Sequence, residues 1–387
     1  MRFGYFMPGY QLAGESGWDE VLGRLRREAV LAEQAGFNEV WLAEHHFGAE
    51  GWDVAPNPVM LGLDLAAATS RIRIGLGAVI LPNWHPLRLA EDIALLDHMS
   101  GGRVECAVGR GITNRELANL NLHGADRRDN DRNWAFFLEA LELMKAAWTE
   151  DALTWDGEFF QLPAKGIKDS YAAWYPRDPR WRSEDDEYIA INVVPKPLQR
   201  PYPTLWNTVD QTPGFKIAAE HGLRPITWLR STQAMREAFE LYRETASAVQ
   251  GRELRLGEDC ALLRTCYIAE TMEEARRIAE PHVEAMYGGY LGGIRSRAIY
   301  AEPGETLPPA EPGESWFDFL YGRDHLFVGT PESVGEQIER VRESTGLEHL
   351  LLFNWLPGLS ERDSVASLEL LGSEVLPRFG AEVVSGT

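Results

Sequence analysis

Apolar positions along this chain fall into two alternating kinds of segment. Short apolar runs, typical of buried strands, are each followed by a longer stretch in which apolar residues recur at helical spacing. The first unit predicts a strand at 2–7, a helix from Ser16 or Asp19 to Gly36, and a second strand at 38–42. Strands separated by helices in this rhythm predict a parallel sheet with helices outside it.

The alternation continues to the end of the chain. It predicts further strands at 72–81, 103–108, 204–208, 225–229, 261–268 and 349–353. It predicts further helices at 59–69, 87–99, 133–148, 215–221, 232–248, 272–286, 331–343 and 364–376. Eight strands with about as many helices favour an α/β fold, a (β/α)8 TIM barrel that forms a single domain over residues 1–387. A doubly wound open sheet is the alternative, but it would more often carry a glycine-rich phosphate loop after its first strand.

Two segments interrupt the rhythm. The interval from about 150 to 203, between the fourth and fifth strands, contains Asp156-Gly157, clustered charges and several prolines. It predicts an insertion that contains a small hairpin. The region from about 287 to 325, after the seventh predicted helix, is rich in Gly, Tyr and Pro and is long for a loop. We interpret it as a mobile lid, with a disordered surface excursion as the alternative.

Charge and cysteine usage narrow the classes of partner. The 387 residues carry a formal charge of −21, which disfavours binding to nucleic acid or to an anionic membrane surface. The three cysteines lack metal-type spacing and cannot all pair within one chain, so we expect a reducing, cytoplasmic location. No apolar run approaches the length that a transmembrane helix needs.

The most polar strand end lies in the segment 40–47, Val-Trp-Leu-Ala-Glu-His-His-Phe. Glu44, His45 and His46 place three ionisable groups at the carboxyl end of a strand, where parallel α/β proteins gather their chemistry. A histidine here is either a packed structural residue or a general base or hydrogen-bond donor. We predict no metal, because adjacent strand residues point to opposite faces and the chain has no HExxH pattern.

Two further strand ends are candidates for ligand contact. Gly77 and Ala78 near the end of the third strand indicate either a tight bend or bare backbone against which a flat ligand lies. Arg110 stands between two glycines after the fourth strand, and an arginine fork in that setting suits a phosphate.

The segment 210–215 follows the fifth strand and opens a helix. Asp210, Gln211, Thr212 and Gly214 would lie at the amino terminus of this helix, which either binds an anion or is an ordinary capped start with proline in the first turn. Near other predicted strand ends the chain has tryptophans that either line an apolar or aromatic substrate pocket or belong to the core. These are Trp52, Trp84, Trp228 and Trp355.

The chain resembles the bacterial luciferase family of flavin-dependent monooxygenases. The residues that carry this resemblance run in order along nearly the whole chain, at 2–6, 33–37, 40–47, 57–58, 81–82, 85–88, 91–92, 95–103, 218–223, 328–332 and 374–377. The resemblance implies a (β/α)8 barrel that takes reduced FMN from a separate NAD(P)H:flavin reductase. It also implies that dioxygen adds to the flavin as a peroxide and that a small organic substrate is oxygenated. Because related proteins are dimers, and because the helices at 59 and 87 have apolar faces, we expect a homodimer.

The resemblance also implies roles for individual residues. His45 matches the family's catalytic histidine, with Glu44 and His46 beside it, and Gly77-Ala78 matches a frequent non-proline cis peptide under the flavin ring. The remaining correspondences are an aromatic wall, a phosphate-side arginine, a pocket tryptophan and the segment that holds the ribityl phosphate. They fall on Phe6, Arg110, Trp228 and 210–214 respectively.

Two departures from the family pattern limit these implications. Luciferases have a reactive cysteine where Gly109 stands, so light emission is not inferred. The phosphate segment reads Asp-Gln-Thr-Pro-Gly rather than a serine-rich run, and Asp210 would be unfavourable near a phosphate unless its side chain turns away. The alternatives are a deazaflavin-dependent oxidoreductase of the same superfamily and a non-catalytic flavin-binding protein.

Overall fold

The computed structural model describes residues 1–11, 17–48, 55–121, 123–293, 296–311 and 313–380. The strands are β1 Arg2–Met7, β2 Glu39–Leu42, β3 Arg73–Ile80, β4 Val104–Gly109, β5 Trp155–Asp156, β6 Gln161–Leu162, β7 Thr204–Thr208, β8 Arg224–Thr227, β9 Ala261–Ile268, β10 Leu326–Gly329 and β11 His349–Phe353. The α-helices are α1 Trp18–Gln34, α2 Pro58–Ala68, α3 Pro86–Met99, α4 Asn114–Leu120, α5 Asn130–Thr149, α6 Thr212–Glu220, α7 Thr232–Gln250, α8 Met272–Val283, α9 Trp316–Tyr321, α10 Pro331–Thr345 and α11 Glu361–Leu370.

The main sheet is a closed parallel barrel surrounded by helices. Its strands follow one another in the order β1-β2-β3-β4-β7-β8-β9-β11, and β11 pairs in parallel with β1, with Arg2 opposite His349. Within the described part of the chain, eight strands therefore complete the ring, and they are the eight that the sequence pattern predicts. The prediction of a TIM barrel is confirmed, and the open doubly wound sheet is wrong.

Strand β10 is an addition to the ring that the sequence pattern misses. It pairs in parallel with the carboxyl half of β9, with Leu326 opposite Thr265 and Gly329 opposite Ile268. The strand is four residues long and leads at once into α10, whose first turn is capped by Thr330 and contains Pro331. Strands β2 and β8 are equally short, but each belongs to a strand–helix repeat of the pattern, whereas β10 directly follows the aperiodic 287–325 region.

The chain divides into two compact units. One contains Met1–Ala78, Glu105–Ala107 and the chain from Leu205 onward, and it includes most of the barrel strands. The other contains Val79–Val104 and Val108–Thr204, with α3, α4 and α5. The single-domain assignment stays a prediction.

The second unit contains the predicted insertion and its hairpin. Strands β5 and β6 pair in antiparallel fashion, with Trp155 opposite Leu162. The carboxylate of Glu139 in α5 accepts hydrogen bonds from the main-chain N–H groups of 158–160, between 3.0 and 3.2 Å, so the tip of the hairpin is held by the helix. A Cβ added to Gly157 would lie 2.0 Å from the Glu139 carboxylate, so a larger residue there would displace the side chain that holds the tip.

The region predicted as a long loop at 287–325 contains helical structure. Arg297–Tyr300 forms a 3₁₀ turn, and α9 lies between that turn and β10. The buried ring of Tyr300 packs edge-on against Phe319 of α9 and His325, with centroid separations of 6.1 and 5.2 Å. An excursion without structure is therefore wrong for the described part of this region, and its movement as a lid stays a prediction.

Charged groups fill the amino-terminal end of the barrel. Glu105 accepts from Arg73 at 2.7 Å and from the indole N–H of Trp206 at 2.8 Å. Glu39 pairs with Arg2 and lies 2.7 Å from the Nε2 atom of His349. Both carboxylates are buried. Because burying an unpaired charge is unfavourable, each of them is paired with basic groups.

One layer further along the strands, Trp41 fills the barrel interior. Its ring lies against glycines of β1 and β3, and an added Cβ would lie 2.9 Å from it at Gly4, 2.1 Å at Gly75 and 2.8 Å at Gly77. On another side the ring meets Trp206 edge-on at a centroid separation of 5.9 Å. The glycines of β3 therefore give Trp41 the space that a side chain on the neighbouring strand would occupy.

Gly75→Ala tests this packing. We expect the free energy of unfolding to fall by about 1–3 kcal/mol, because the new methyl group overlaps a buried ring that has no room to move. Urea denaturation measures the change. Gly289→Ala is the matched control, since Gly289 has open space around its Cα and an ordinary backbone conformation. Equal stability of both variants would contradict the packing role.

Glu39→Gln tests the charged layer. Burial alone raises the pKa of Glu39, but His349 and Arg2 offset this effect and the net pKa is lowered. A lowered folded-state pKa contributes stability above the unfolded pKa, and this stability is lost as pH falls through the folded pKa.

We therefore expect Glu39→Gln to cost roughly 3 kcal/mol near neutral pH, with the difference from wild type shrinking as the solution is acidified. Urea denaturation over a pH series measures both quantities. Glu369→Gln on the exposed face of α11 is the control. A difference that does not change with pH would argue against the ionised pairing.

Candidate functional site

The segment after β2 holds the predicted ionisable cluster at the carboxyl end of the barrel. Glu44 is buried, and its Oε1 atom lies 3.1 Å from the Nε2 atom of His46. The main-chain N–H of His45 donates to the carbonyl oxygen of Ala55 at 3.0 Å, and the imidazole of His45 is half-buried. Glu44 thus orients His46, while His45 is held by its main chain and keeps a partly accessible ring.

The peptide bond between Gly77 and Ala78 is cis, as the resemblance implied. Gly77 is half-exposed, and a Cβ added to it would meet Trp41. Trp41 therefore covers the side of Gly77 on which a Cβ would point. The part of the Gly77 main chain that stays exposed, in the carboxyl half of β3, is where a planar ligand could make contact.

Aromatic rings from three strand ends form a wall beside these groups. Phe6 of β1 meets Phe353 of β11 at a centroid separation of 6.0 Å, and Phe353 meets Trp228, after β8, at 6.1 Å. Tyr10 packs on the same Phe353 ring at 6.4 Å. Phe6 and Trp228 remain half-buried, so they are the members of this wall with surface left for a ligand.

The loops after β7 and β8 form a polar site next to the amino terminus of α6. The Asp210 carboxylate turns toward the β8 loop, where its Oδ1 atom accepts from the main-chain N–H groups of Trp228 and Leu229 at 3.0 and 3.1 Å. Arg230 donates to the Asp210 carbonyl oxygen at 2.9 Å and to the Thr212 hydroxyl at 3.2 Å. A guanidinium therefore stands at the start of a helix, where unpaired N–H groups also favour an anion.

The guanidinium of Arg110, in the second unit, is hydrogen-bonded to uncharged side chains. It donates to the side-chain oxygens of Asn130 and Asn133 at 3.2 and 2.9 Å and lies 3.6 Å above the ring of Trp134. Burial, with a smaller effect of Arg127, lowers the pKa of Arg110 to about 9. Such a cation would gain from an anionic ligand.

Among the described residues, no group of three or more His, Cys, Asp or Glu side chains is arranged to hold a metal ion. No helix in the same part of the chain is long and apolar enough to cross a membrane. The predicted absence of a metal stays a prediction.

Residues 1–349 match the family model described as luciferase-like monooxygenase. The chain belongs to this family. It is 25% identical to the alkanal monooxygenase alpha chain of the Kryptophanaron alfredi symbiont, over 97% of this chain and 98% of that protein. It is also 25% identical to the oxygenase component of the flavin-dependent trigonelline monooxygenase of Acinetobacter baylyi, over 99% of this chain and 97% of that protein.

The fold of this luciferase-like chain is also found in solved structures. One is the oxygenating constituent of 3,6-diketocamphane monooxygenase of Pseudomonas putida, a type II Baeyer-Villiger monooxygenase solved in complex with FMN. The two share a TM-score of 0.72 at 22% identity, over 98% of each chain. At that identity the likeness shows the fold and no more.

The structure separates the predicted tryptophans. Trp228 belongs to the aromatic wall, and Trp84 lies half-buried after β3 in the second unit. Trp355 is fully buried, its indole N–H donates to Glu28, and the guanidinium of Arg24 lies 3.4 Å above its ring. These contacts favour a packing role for Trp355 over a pocket role. Trp52 lies outside the described residues.

Within the 210–214 segment, the apolar pattern predicts a helix from Phe215, whereas the capped-start interpretation predicts a start at Thr212 with Pro213 in the first turn. The structure is closer to the second, because α6 begins at Thr212, Gly214 is already helical and Gln211 is the capping position. Pro213 allows this, because proline fits the first turn of a helix. The ligand roles of these residues and of the histidine cluster stay predictions.

Sequence reasoning missed Arg230 and Phe353. Arg230 follows a predicted strand that was drawn two residues too long, to Leu229, although β8 ends at Thr227. A basic residue between a strand end and a helix was the available signal. Phe353 was assigned to the last strand, but nothing in the pattern indicated that its ring would meet residues from β1 and β8.

Proposed function

We propose that this protein is the oxygenase of a two-component monooxygenase that uses reduced FMN and dioxygen to oxygenate a small organic substrate. The observation that carries the proposal is the position of three groups around one end of the barrel. His45 and Arg230 lie just beyond the carboxyl ends of β2 and β8, and Gly77-Ala78 lie in the carboxyl half of β3, directly after Leu76, which pairs with Leu42 at the end of β2. In TIM barrels the chemistry gathers at this end of the strands. Membership of the luciferase-like monooxygenase family supports the same class of reaction.

The residues at this end fit the chemistry of FMN. The partly exposed main chain of Gly77 and the half-buried rings of Phe6 and Trp228 suit a flat, largely apolar ring system. The start of α6 with Thr212 and Arg230 suits a phosphate. Asp210 does not oppose this fit, because its carboxylate is occupied by main-chain N–H groups of the next loop.

Reduced FMN, when bound, supplies the two electrons with which one atom of dioxygen is transferred to the substrate while the other leaves as water. We propose that His45 holds or moves a proton at the flavin edge, since a partly accessible imidazole can do either near neutral pH. Glu44 keeps the ring of His46 in one orientation beside it. The aromatic wall and the 287–325 region would exclude water from the reacting atoms.

The partners follow from this chemistry. We propose a separate NAD(P)H:flavin reductase as the source of reduced FMN, supported by the relative that is named as an oxygenase component. We also propose a homodimer. Met60 of α2 is exposed, and α3 separately exposes Leu95 and Met99, so both helices have apolar surface that a second copy could cover. Sedimentation velocity would decide the oligomeric state, and fractionation of the producing cell would test the cytoplasmic location.

Two alternatives predict different measurements. A deazaflavin-dependent oxidoreductase would transfer hydride without consuming oxygen. A non-catalytic flavin-binding protein would bind FMN but give no product. Substrate-dependent oxygen uptake with a flavin reductase and a panel of aldehydes, ketones, terpenoids and aromatic acids separates the monooxygenase from both alternatives, because only the monooxygenase couples oxygen uptake to product formation. Hydride transfer between the same substrates and a deazaflavin separates the two alternatives from each other.

His45→Ala tests the proton role. We expect turnover to fall roughly 100- to 10,000-fold, the range of general acid–base contributions, with FMN affinity nearly unchanged. Oxygen uptake and the share of it that appears as hydrogen peroxide measure turnover and coupling, and flavin fluorescence measures affinity. His98→Ala on the exposed face of α3 is the control. Full coupled turnover by His45→Ala would remove the proposed role.

Arg230→Ala tests the phosphate site. Loss of a charge-assisted hydrogen bond of about 1.5–3 kcal/mol should weaken FMN binding roughly 10- to 100-fold, while riboflavin, which lacks the phosphate, binds as before. Fluorescence titration with both flavins measures this difference. Arg236→Ala provides a matched control on α7, where Arg236 is exposed and donates to the Ser344 carbonyl oxygen. Equal weakening of both flavins would place the phosphate elsewhere.

A further inference from the structure

The loop Trp228–Arg230 is held between two oppositely charged side chains. On one side, Asp210 accepts from the Thr227 hydroxyl at 3.1 Å and from the N–H groups of Trp228 and Leu229. On the other side, Arg264 of β9 donates to the carbonyl oxygens of Trp228 and of Arg230, the latter at 2.8 Å. The main-chain N–H groups of the loop thus donate to the Asp210 carboxylate, and its carbonyl oxygens accept from the Arg264 guanidinium.

Arg264 is buried, with 1% of its surface exposed. Beyond the loop, its Nε atom donates to the carbonyl oxygen of Asp324 at 3.2 Å, so the same side chain reaches the residue pair that precedes β10. Burial lowers the pKa of Arg264 to about 10, with Tyr287 and Asp210 opposing that effect, so the guanidinium stays charged near neutral pH. A planar fork of donors can satisfy carbonyl groups in several directions at once, which no apolar side chain could do.

The loop that these two residues hold carries groups of the candidate site at both ends. Trp228 contributes its ring to the aromatic wall, and Arg230 presents its guanidinium to Thr212 at the start of α6. A shift of the loop would move both groups together. A displacement of about 1 Å is enough to lose most of the benefit of a positioned charge.

We propose that Arg264 is a positioning residue that, together with Asp210, sets the placement of Arg230 and Trp228 and so the preference of the site for a phosphorylated flavin. This inference rests on the proposed function. Arg264 does not touch the flavin in this scheme and acts only through the loop. Its effect should therefore appear as a change in discrimination between FMN and riboflavin rather than as equal weakening of both.

The test compares Arg264→Met and Arg264→Lys with wild type by fluorescence titration against FMN and riboflavin. We expect the ratio of the two affinities to fall about tenfold in Arg264→Met, with partial recovery in Arg264→Lys, which keeps the charge and some donors. Arg224→Met is the control, because Arg224 lies at the opposite end of β8 and pairs with Asp259 at 2.9 Å. That variant should keep the wild-type ratio.

Two further measurements keep the inference falsifiable if Arg264→Met does not fold. Asp210→Ala removes the acceptor on the other side of the loop, whereas Asp210→Asn keeps the Oδ1 acceptor and should lose less of the ratio. Hydrogen exchange in flavin-free protein should show lower protection of the Trp228 and Leu229 amides, which donate to Asp210, in Arg264→Met and Asp210→Ala. If Arg264→Met folds, combining it with Arg230→Ala should lower the ratio of FMN affinity to riboflavin affinity no further than Arg230→Ala alone does. Both substitutions act through the guanidinium of Arg230.

The outcomes separate the inference from the function on which it rests. Wild-type protein that binds FMN no better than riboflavin would overturn the proposed phosphate site and the inference with it. Wild-type protein that prefers FMN, with an unchanged ratio and unchanged exchange in folded Arg264→Met and Asp210→Ala, would overturn the inference alone. A lower ratio with lost protection of the loop supports it.

Discussion

The placement of Trp41 inside the barrel is the packing constraint on which the arrangement of the strands depends. An indole fits there because β1 and β3 present glycines to it, with Gly75 so close that a Cβ would overlap the ring. Protein interiors are packed as densely as organic crystals, so the indole of Trp41 fits only where the neighbouring strands place glycines beside it. This requirement restricts the register of β2 against β1 and β3. The register then decides which residues stand at the two ends of the barrel.

The two ends handle charge differently. At the amino-terminal end, Glu39 and Glu105 are buried, and their charges are paired with arginines and a histidine of the barrel itself. At the carboxyl end, the Asp210 carboxylate accepts hydrogen bonds from main-chain N–H groups, while the Arg230 guanidinium donates to uncharged oxygen atoms. The first arrangement stabilises the fold, whereas the second leaves a cation beside a helix start, which is the kind of place that an anionic cofactor occupies.

Several side chains and loops of the candidate site are held in position by hydrogen bonds from neighbouring residues. Glu44 orients His46, the main chain of His45 is tied to Ala55, and Arg264 ties the loop that carries Arg230. Such support would matter for the proposed reaction between a flavin, dioxygen and a substrate, because positioning of the reactants accounts for much of the rate that an enzyme can gain. Membership of the luciferase-like monooxygenase family supports this class of reaction, and these contacts indicate which residues this chain would use for it.

Patterns along the sequence predicted the succession of the eight barrel strands and the hairpin in the insertion, because periodicity and turn residues are short-range signals, and the resemblance along nearly the whole chain predicted the family. These patterns missed β10 and α9, which lie in or directly after the aperiodic 287–325 region, and the apolar pattern placed a helix start at Phe215 although α6 begins at Thr212. The tertiary structure was needed to show that Trp355 belongs to the packing around Glu28 and that Asp210 faces the next loop. It also showed that Arg230 contacts Thr212 at the start of α6 and that Arg264 donates to the carbonyl oxygen of Arg230. Each of these contacts joins residues far apart in the chain or on different strands, and no pattern along one strand carries information about the partner that closure of the barrel brings to it.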